Sequence, residues 1–552
     1  MAKFQTISIR RLKGLNEDEN PEVVADDELT RAFNSWRRDE TTGTRPGTDR
    51  DADDYTAQGA GAVNGGVDYR SANDATRKHV IVCNGKVRVG DGGGTTTGAD
   101  ITGAVTVTAS ANHRWVFAQH AANCYGAGGT STDSFWKYTG SGNASAISIL
   151  DLSAAALYPT YVFEKWNRLW TAGFRGSAGA IATDLSSNPM VVRFSALSDG
   201  DVWPIGNTIG GTGIGGLSSY GDEYVTGFGE FQGSLLILSN QRIYQVIERT
   251  DPFAPFAVGK EDQSQISVGC VHQNCFVSLG LDSGDAIFLS NKGIHSLRQS
   301  KQFGGREDAF LSWKIRRTFQ DINFSAIHRS VAAYWREEGV VLFAVPTGSS
   351  ANPNLILCLD IKGKEQLTAQ NAEWHIWERT GASANAILTT ALYSGRTSAN
   401  AGVVYEGNAA GDVVKITETT EADLGSAYVT DIVTKHNDYG QANMDKGLGD
   451  ITVILQPGGD HHPTITPVFD NGARGGTPIP LTMGSTGPVW DNAIFDSDVF
   501  PADTSTFTDK VYGRGRGRTI AFQFQHGSAN QPFYIASIHP QIRLFGEASG
   551  EN

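Results

Sequence analysis

The sequence between residues 330 and 377 contains four short apolar runs: Ser330-Val331-Ala332-Ala333-Tyr334, Val340-Val341-Leu342-Phe343, Leu355-Ile356-Leu357-Cys358 and Trp374-His375-Ile376-Trp377. β-branched and aromatic residues dominate these runs, and polar or glycine-containing segments separate them, as is typical of strands on a pleated surface. The stretch therefore predicts a group of antiparallel β-strands joined by short connections.

Similar groups of short strands recur along the middle of the chain, within residues 224–246, 270–297 and 386–414. Groups of three or four strands that follow one another in this way are typical of a β-propeller, whose blades cannot bury both faces alone and therefore pack in a ring. A double β-sandwich is the competing architecture. Helical periodicity is almost absent, and the best helix candidate covers residues 308–319.

The last part of the chain, from residue 419, has longer strands with alternating apolar and polar residues, at 428–433, 450–455 and 520–524. This alternation predicts a sheet with one solvated face. The predicted fold class is therefore all-β, with a central β-propeller and a β-sandwich platform formed by the C-terminal region and an N-terminal arm. The predicted boundaries are 1–75 for the arm, 76–418 for the propeller and 419–552 for the sandwich.

Charge and hydropathy argue against several classes of function. The 552-residue chain has no run of about 18 apolar residues, so no membrane-spanning helix is expected. The start of the chain lacks the apolar core of an export signal. The formal net charge of −14 argues against a sequence-reading nucleic-acid binder, which needs basic patches. More than half of the acidic excess lies between Asn16 and Asp54, where thirteen Asp and Glu face five Arg.

Few patterns in the sequence point to chemistry, and we predict no catalytic residue, no cofactor and no metal site. The five cysteines show no CxxC spacing and are expected to be free, buried thiols. Asp49, Asp51 and Asp53 have the spacing of a calcium loop, but the usual glycine and closing glutamate are missing. A solvated acidic loop is the better interpretation.

The sharpest cluster is Gly513-Arg514-Gly515-Arg516-Gly517-Arg518. In one extended strand the three arginines point to the same face, and the glycines between them let another backbone approach. This spacing suggests a basic ridge that meets an acidic partner surface or phosphates. An arginine-rich solvated edge is the alternative interpretation.

Two glycine-containing corners enclose the acidic stretch near the start, Gly14-Leu15-Asn16 and Thr44-Arg45-Pro46-Gly47. Gly14 and Gly47 suit sharp turns. This order resembles the opening of the tail nozzle (tail tubular protein B-like) proteins of short-tailed bacteriophages. Later motifs resemble the same family in the same order, among them Arg168-Leu169-Trp170, Phe343-Ala344-Val345-Pro346 and Gly515-Arg516-Gly517-Arg518. Residues 55–75 have no clear match, and the arm is unusually acidic.

The resemblance implies a structural virion protein that is not an enzyme. Family members form homo-hexameric rings below a tail adaptor protein, with β-propellers around the channel and a platform that docks upward. Genomic DNA passes through the channel during ejection without sequence recognition. Tail fibre or needle proteins and a host surface receptor are further partners. The implied location is the virion tail, after assembly in the host cytoplasm.

Within this resemblance, we expect Arg514, Arg516, Arg518 and Arg45 at the interface with the adaptor or a neighbouring subunit. We also expect the side chains that face the channel to be mostly acidic or neutral, because basic walls would bind the DNA phosphates.

The competing class is a β-propeller that binds or depolymerises host-surface glycans. Trp335 and Trp377 are the candidate glycan contacts, because exposed aromatic rings stack on sugars. A stretch from Ser198 to Trp203 comes near the Asp-box turn of propeller hydrolases, but it occurs once and is shifted in register. A third class is a propeller scaffold for protein partners.

Overall fold

A computed structural model describes most of the chain. The described residues are 4–49, 61–70, 77–90, 98–128, 130, 132–150, 156–176, 189–204, 207–209, 222–249, 256–258, 268–280, 284–298, 310–379, 388–397, 401–456, 461–483 and 507–545. In this part of the chain nearly all regular structure is β-strand, arranged in many small sheets. The predicted all-β class is therefore confirmed.

Six short strands form the described part of the N-terminal segment. They are β1 (Gln5–Thr6), β2 (Ile9–Arg10), β3 (Leu29–Phe33), β4 (Ser35–Arg38), β5 (Thr41–Thr44) and β6 (Gly47–Asp49). Within the segment, only β4 and β5 pair with each other, as a hairpin. β1, β2, β3 and β6 pair with strands from distant parts of the chain, and so does β5 on its other side.

The middle of the chain forms successive antiparallel sheets, and within most of them neighbouring strands follow one another in the sequence. The strands of the first three such sheets are β7 (Val63–Arg70), β8 (Arg77–Cys83), β9 (Lys86–Gly90) and β10 (Ala99–Asp100); β11 (Val116–His120), β12 (Asn123–Ala127), β13 (Trp136–Tyr138) and β14 (Ser145–Ala146); and β17 (Tyr161–Lys165), β18 (Arg168–Ala172), β20 (Val192–Phe194) and β21 (Thr208–Ile209). A separate small sheet consists of β15 (Ile149–Leu150), β16 (Ala156–Tyr158) and β19 (Arg175–Gly176).

Four more sheets follow, and they match the strand groups that the sequence predicts. Their strands are β22 (Val225–Phe231), β23 (Ser234–Ser239), β24 (Ile243–Glu248) and β25 (Phe256–Val258); β26 (Phe276–Ser278), β27 (Ala286–Leu289) and β28 (Ile294–Ser296); β29 (Val331–Trp335), β30 (Val340–Val345), β31 (Leu355–Asp360) and β32 (Glu373–Glu378); and β33 (Thr389–Arg396), β34 (Gly402–Asn408) and β35 (Val413–Thr417).

The first strands of these seven sheets contact one another in chain order, as counted over the described residues: β7, β11, β17, β22, β26, β29 and β33. β33 in turn contacts β7, so the series of contacts returns to the first sheet. The N-terminal segment supplies the fourth strand of the seventh sheet, because β6 pairs with β35 and places Thr48 opposite Ile416.

Apolar side chains fill the spaces between neighbouring sheets of this series. Trp115 and Trp136 belong to a cluster shared by the first and second sheets. Trp170, Leu235 and Phe256 belong to a cluster that runs through the second, third and fourth sheets. Each fully buried side chain of this size contributes roughly 1.5–3 kcal/mol through removal from water. Packing between sheets therefore holds the series together.

The C-terminal region adds nine described strands. They are β36 (Thr430–Thr434), β37 (Asp445–Gln456), β38 (Thr464–Phe469), β39 (Arg474–Gly475), β40 (Ile479–Pro480), β41 (Phe507–Tyr512), β42 (Arg516–Gly517), β43 (Ile520–His526) and β44 (Tyr534–Phe545). One sheet has the order β4-β5-β44-β37-β41, with β1 and β2 also paired to β44 and β42 paired to β37. In the other, β3 lies between β32 and β36, and β43, β38 and β39 follow.

These two sheets share one apolar core. Ile451 and Ile538 of the first sheet belong to the same buried cluster as Ile432 and Phe522 of the second. The pairing of β1, β2 and β5 with β44 confirms that the N-terminal arm joins the C-terminal region. The predicted boundary at residue 75 is wrong, however, since it separates β7 from β8, which are paired strands of one sheet.

Short helices complete the described part of the chain. They are the 3-10 turns Gln273–Cys275, Leu311–Ile315, Ile327–Arg329 and Asp470–Gly472 and the α-helix α1 (Arg316–Gln320). The helix predicted at 308–319 thus appears as a 3-10 turn followed by one α-helical turn, and its first two residues lie outside the described part. None of the described helices has the length and apolar character needed to cross a membrane.

All five cysteines are free and buried, as predicted. Burial raises the pKa of the Cys270 thiol to about 12 and that of Cys83 to about 11. The thiols are therefore protonated at neutral pH and behave as small apolar side chains.

Candidate functional site

The three arginines of the Gly-Arg repeat are exposed at one end of the sheet that contains β37 and β44, and we call Arg514, Arg516 and Arg518 the arginine surface. They do not lie on one extended strand, so this part of the prediction is wrong. β41 ends at Tyr512, and β42 contains only Arg516 and Gly517. Gly515 between them has φ +147, and a Cβ there would lie 2.2 Å from the Phe469 ring. Arg514 and Gly515 therefore lie between the two strands.

Arg516 is the most firmly placed member of the arginine surface. Its Nε lies 2.9 Å from Oδ2 of Asp445, and its guanidinium lies 4.5 Å from the centre of the Phe545 ring. Arg543 on β44 approaches the same ring at 5.1 Å. Gly447 makes room for this stack, because a Cβ there would lie 2.5 Å from the Phe545 ring. A flat guanidinium stacked on an aromatic ring is a common arrangement in binding surfaces.

Arg518 is fixed by its backbone, not by its side chain. Its amide donates a hydrogen bond to Oδ1 of Asp470 at 2.7 Å, and its carbonyl oxygen accepts one from Lys446. Among the described residues, no hydrogen bond or ion pair holds the side chain of Arg514 or Arg518. Tyr512, two residues before Arg514, is 72% exposed. The arginine surface thus offers two positive charges without side-chain partners in the described part of the chain, next to an exposed aromatic side chain.

Arg45 does not belong to this surface, and its prediction as an interface residue is wrong. Its side chain is fully buried. Nη2 lies 2.5 Å from Oδ2 of Asp423, and Nε donates to Oδ1 of Asn34 at 3.0 Å. The guanidinium also lies 3.7 Å from the centre of the Tyr428 ring. The residue is a packing centre between the arm and the segment after β35.

A second buried arginine completes this ion network. Arg379 lies 3.1 Å from Asp423 and 2.5 Å from Glu406, while Thr389 donates a hydrogen bond to Glu406 at 2.6 Å. Burial raises the pKa of Asp423, but Arg45 and Arg379 lower it further, so this carboxyl pKa lies below its ordinary value. The network joins the arm, the segment after β32, β34 and the segment after β35. The sequence carries no local signal for it, because its members are far apart in the chain.

The two candidate glycan contacts are also buried, so that prediction is wrong. Trp377 is fully buried, and its Nε1 donates to the carbonyl oxygen of Ser35 at 2.8 Å. Trp335 is 5% exposed and stacks on Trp36 with ring centres 5.9 Å apart. Both rings pack the arm against the sixth sheet, and neither is available to a sugar.

A cavity of about 380 Å³ lies at the centre of the seven contacting first strands, and we call it the axial cavity. The sequence analysis did not find it. Aromatic side chains of successive strands line it, including Phe117, Phe163, Phe228 and Phe276. Glycines on β7 and β22 accommodate neighbouring rings: a Cβ on Gly229 would lie 2.6 Å from Phe276.

Amide side chains tie the strands together around the axial cavity. Gln273 donates from Nε2 to the carbonyl oxygen of Val162 at 2.8 Å and accepts from the amide of Phe228 at 3.2 Å. Asn274 donates from Nδ2 to the carbonyl oxygen of Trp115 at 3.2 Å. Gln273 and Asn274, which precede β26, therefore form hydrogen bonds to the second, third and fourth sheets.

No group of three or more potential metal ligands occurs within the described ranges. Of the three aspartates with calcium-loop spacing, Asp49 is exposed at the end of β6. Asp51 and Asp53 lie outside the described residues, so the solvated-loop interpretation stays a prediction.

Comparisons with known proteins add little to this geometry. The sequence matches no family profile and no curated protein. Among solved structures, the chain is similar to YCF48 bound to a D1 peptide, with 10% identity and a TM-score of 0.35, over 70% of this chain and 97% of that one. It is also similar to an exo-beta-1,3-galactanase of Phanerochaete chrysosporium, with 8% identity and a TM-score of 0.25, over 71% and 98%. At these TM-scores neither likeness carries an argument.

Proposed function

We propose that this protein is a structural component of a short bacteriophage tail: the nozzle ring, which docks to the tail adaptor and forms the channel for genome ejection. In this proposal the seven sheets form a seven-bladed β-propeller closed by β6. The two sheets built from both chain ends form a β-sandwich platform. The role is mechanical, not catalytic, and the location is the virion tail.

The observation that carries the proposal is the way in which the two chain ends combine. β1, β2 and β5 pair with β44, and β3 inserts between β32 and β36, so that arm and C-terminal region share one core. The seven sheets are thereby inserted between two halves of a single platform. The sequence predicts a platform formed by the C-terminal region and the N-terminal arm, and the resemblance to tail nozzle proteins implies a platform that docks upward.

The arginine surface supports a docking role for the platform. It lies at one end of a platform sheet, and Arg514 and Arg518 are exposed without side-chain partners among the described residues. Exposed arginine and tyrosine side chains are enriched in protein interfaces, and they bind carboxylate groups of a partner well. We place the adaptor or a neighbouring subunit here.

Electron microscopy of the purified full-length chain tests the ring. We expect six-fold rings in negative stain and a hexameric mass in solution, with DNA-sized lumens whose walls are mostly acidic or neutral. A chain that stays monomeric at all concentrations, or rings lined by arginine and lysine, would contradict the proposal.

Substitution of Arg514, Arg516 and Arg518 together by alanine tests the docking surface. We expect loss of ring formation or of tail incorporation with an unchanged far-UV circular dichroism spectrum, because the three side chains make few contacts within the chain. The matched control is alanine at Arg70, Arg249 and Lys292, three exposed cations of the seven sheets, which removes the same charge. Equal assembly of both triple variants would reject the role of this surface.

In the glycan-binding alternative, neither candidate contact is accessible to a sugar, since Trp335 and Trp377 are buried. A glycan array probed with the purified protein separates the two functions. Saturable binding to one class of glycan, together with a monomeric state, would favour the alternative.

A further inference from the structure

The axial cavity has one end at which the first strands begin. Two arginines precede its lining residues there: Arg114 comes directly before Trp115, and Arg329 comes two residues before Val331. They precede the first strands of the second and sixth sheets. Two arginines from separate parts of the chain therefore come together next to the cavity, since Nε of Arg114 lies 3.0 Å from the carbonyl oxygen of Arg329.

Arg114 is buried and bonded only to neutral acceptors. It is 3% exposed. Nε donates to the carbonyl oxygen of Arg329 at 3.0 Å, and Nη1 donates to those of Ala111 at 2.8 Å and His113 at 3.0 Å. Nη2 donates to Oδ1 of Asn352 at 3.2 Å. A guanidinium has five N–H donors, so one on Nη2 remains after these four bonds.

Arg329 leaves further donors unused. Its Nη1 donates to the carbonyl oxygen of Ala351 at 2.9 Å, while its Nε is buried and has no hydrogen-bond partner among the described residues. Within the described ranges, no Asp or Glu forms an ion pair with Arg114 or Arg329. The side chain of Arg329 is only partly buried, and the neighbouring His328 is exposed, so solvent reaches Arg329.

The electrostatics agree with an uncompensated positive site. Burial and the nearby Arg329 guanidinium lower the pKa of Arg114 to about 9, and Cys275 opposes this shift only in part. Burial and the positive charges of Arg114 and His328 lower the pKa of His272 to about 3. No carboxylate contributes to either shift.

The buried ion network around Asp423 differs from the surroundings of Arg114 in that its arginines have carboxylate partners. Arg45 and Arg379 are equally buried, and each has a carboxylate within 3.1 Å. A buried charge without a counter-charge is costly, and a buried or half-buried guanidinium with free N–H groups binds anionic oxygens strongly. An external anion would supply the counter-charge that the described residues do not.

We propose that Arg114 and Arg329 form an oxyanion site at this end of the axial cavity, which binds a carboxylate or phosphate group through the free N–H donors of both guanidinium groups. The group comes either from a small anion in solution or from an acidic side chain of a docked protein. This proposal does not depend on the nozzle function, because the site lies within a single chain.

Titration of the full-length chain with inorganic phosphate and with acetate, at constant ionic strength set by sodium chloride, tests the site. We expect a saturable rise in the midpoint of thermal unfolding and a saturable calorimetric signal. Phosphate alone giving the response assigns a phosphate site. Both anions giving it assigns a general oxyanion site, which an acidic protein side chain can also fill. A response to neither anion overturns the proposal.

Arg329→Gln is the deciding variant, because its partly exposed side chain makes one hydrogen bond to a loop and its removal leaves Arg114 in place. We expect anion binding to weaken by about tenfold or more, the effect of losing charge-assisted hydrogen bonds. Arg249→Gln, an exposed arginine at the end of β24, is the matched control and should bind as the wild type does. Equal affinity of Arg329→Gln and wild type overturns the proposal.

Discussion

Arginine side chains occupy three different electrostatic settings in this protein. Arg45 is buried beside a carboxylate, Arg114 is buried among neutral oxygens, and Arg514 is exposed without a side-chain partner among the described residues. The residue type is the same, so its neighbours decide whether it stabilises the fold, contributes to the proposed oxyanion site or is exposed at the surface. The sequence motifs of Arg45 and Arg514 predicted one shared interface, but Arg45 is buried in an ion pair and Arg514 is exposed.

Replacing Arg45 with methionine should destabilise the chain by about 3–5 kcal/mol, because it leaves Asp423 buried with Arg379 as its remaining cation. Urea unfolding followed by tryptophan fluorescence measures the change. The control is Arg31→Met, which removes a half-exposed ion pair with Asp431 and should cost about 1 kcal/mol or less. Similar small losses in both variants would show that the buried network is not a stability centre.

The sequence predicted single residues well only where the reason is local. Buried free cysteines follow from their number and spacing, and the structure confirms them. Arg45 pairs with Asp423, 378 residues away, so no local pattern could show that it is buried. The same holds for Trp377, whose burial depends on Ser35 and the rest of the arm.

At the level of elements, the glycines of the arm allow close contacts between backbones and do not make tight turns. Gly14 and Gly47 are absent from the described residues with positive φ. A Cβ on Gly14 would lie 2.3 Å from the amide nitrogen of Trp374, and one on Gly47 would lie 2.3 Å from the carbonyl oxygen of Ala422. The turn interpretation of these two glycines is therefore wrong, although the arm does need them.

Gly14→Ala should loosen the arm, because the added methyl group meets backbone atoms of β32 that cannot move alone. The amide of Leu15 donates to the carbonyl oxygen of Trp374 at 2.7 Å, and this bond should be lost first. We expect a destabilisation of about 1–3 kcal/mol and faster proteolysis within residues 4–46. Gly142→Ala is the comparison for an added methyl group that meets nothing within 4 Å, although its positive φ adds some strain of its own.

Protease resistance of Gly14→Ala equal to that of the wild type would contradict the close contact.

Strand positions themselves were largely predictable, since β22–β24 and β29–β32 coincide with the predicted groups to within two residues at their ends. The partners of β3 and β6 were not, because strands of five and three residues carry no signal of the distant edge that they complete.

Across the whole molecule, buried histidines make stability depend on acid. Burial lowers the pKa of His272 to about 3, and that of both His295 and His375 to about 4. These values lie below the unfolded value of about 6.5. The stability that the neutral rings allow is complete above that pH, and it is lost as the pH falls from about 6.5 toward the folded values.

We expect the wild type to lose more stability between pH 7.5 and pH 5.0 than His375→Gln does, by roughly 2 kcal/mol, since each pH unit below the unfolded pKa contributes about 1.4 kcal/mol. The comparison cancels the contribution of carboxyl groups common to both proteins. Glutamine keeps a polar atom for the contact with Ser35, which lies 3.1 Å from Nδ1 of His375. Identical pH profiles of the two proteins would contradict the role of this histidine.

The pairing of β6 with β35 also bears on the order of synthesis. Residues 47–49 leave the ribosome early, but their partner strand, residues 413–417, follows only after more than 360 further residues. Until then β6 has no partner strand, and an unpaired strand edge can form hydrogen bonds with other nascent chains. Low expression levels should therefore favour recovery of the folded protein, because they lower the concentration of chains whose edge is still open, so that each chain closes on itself before it meets a neighbour.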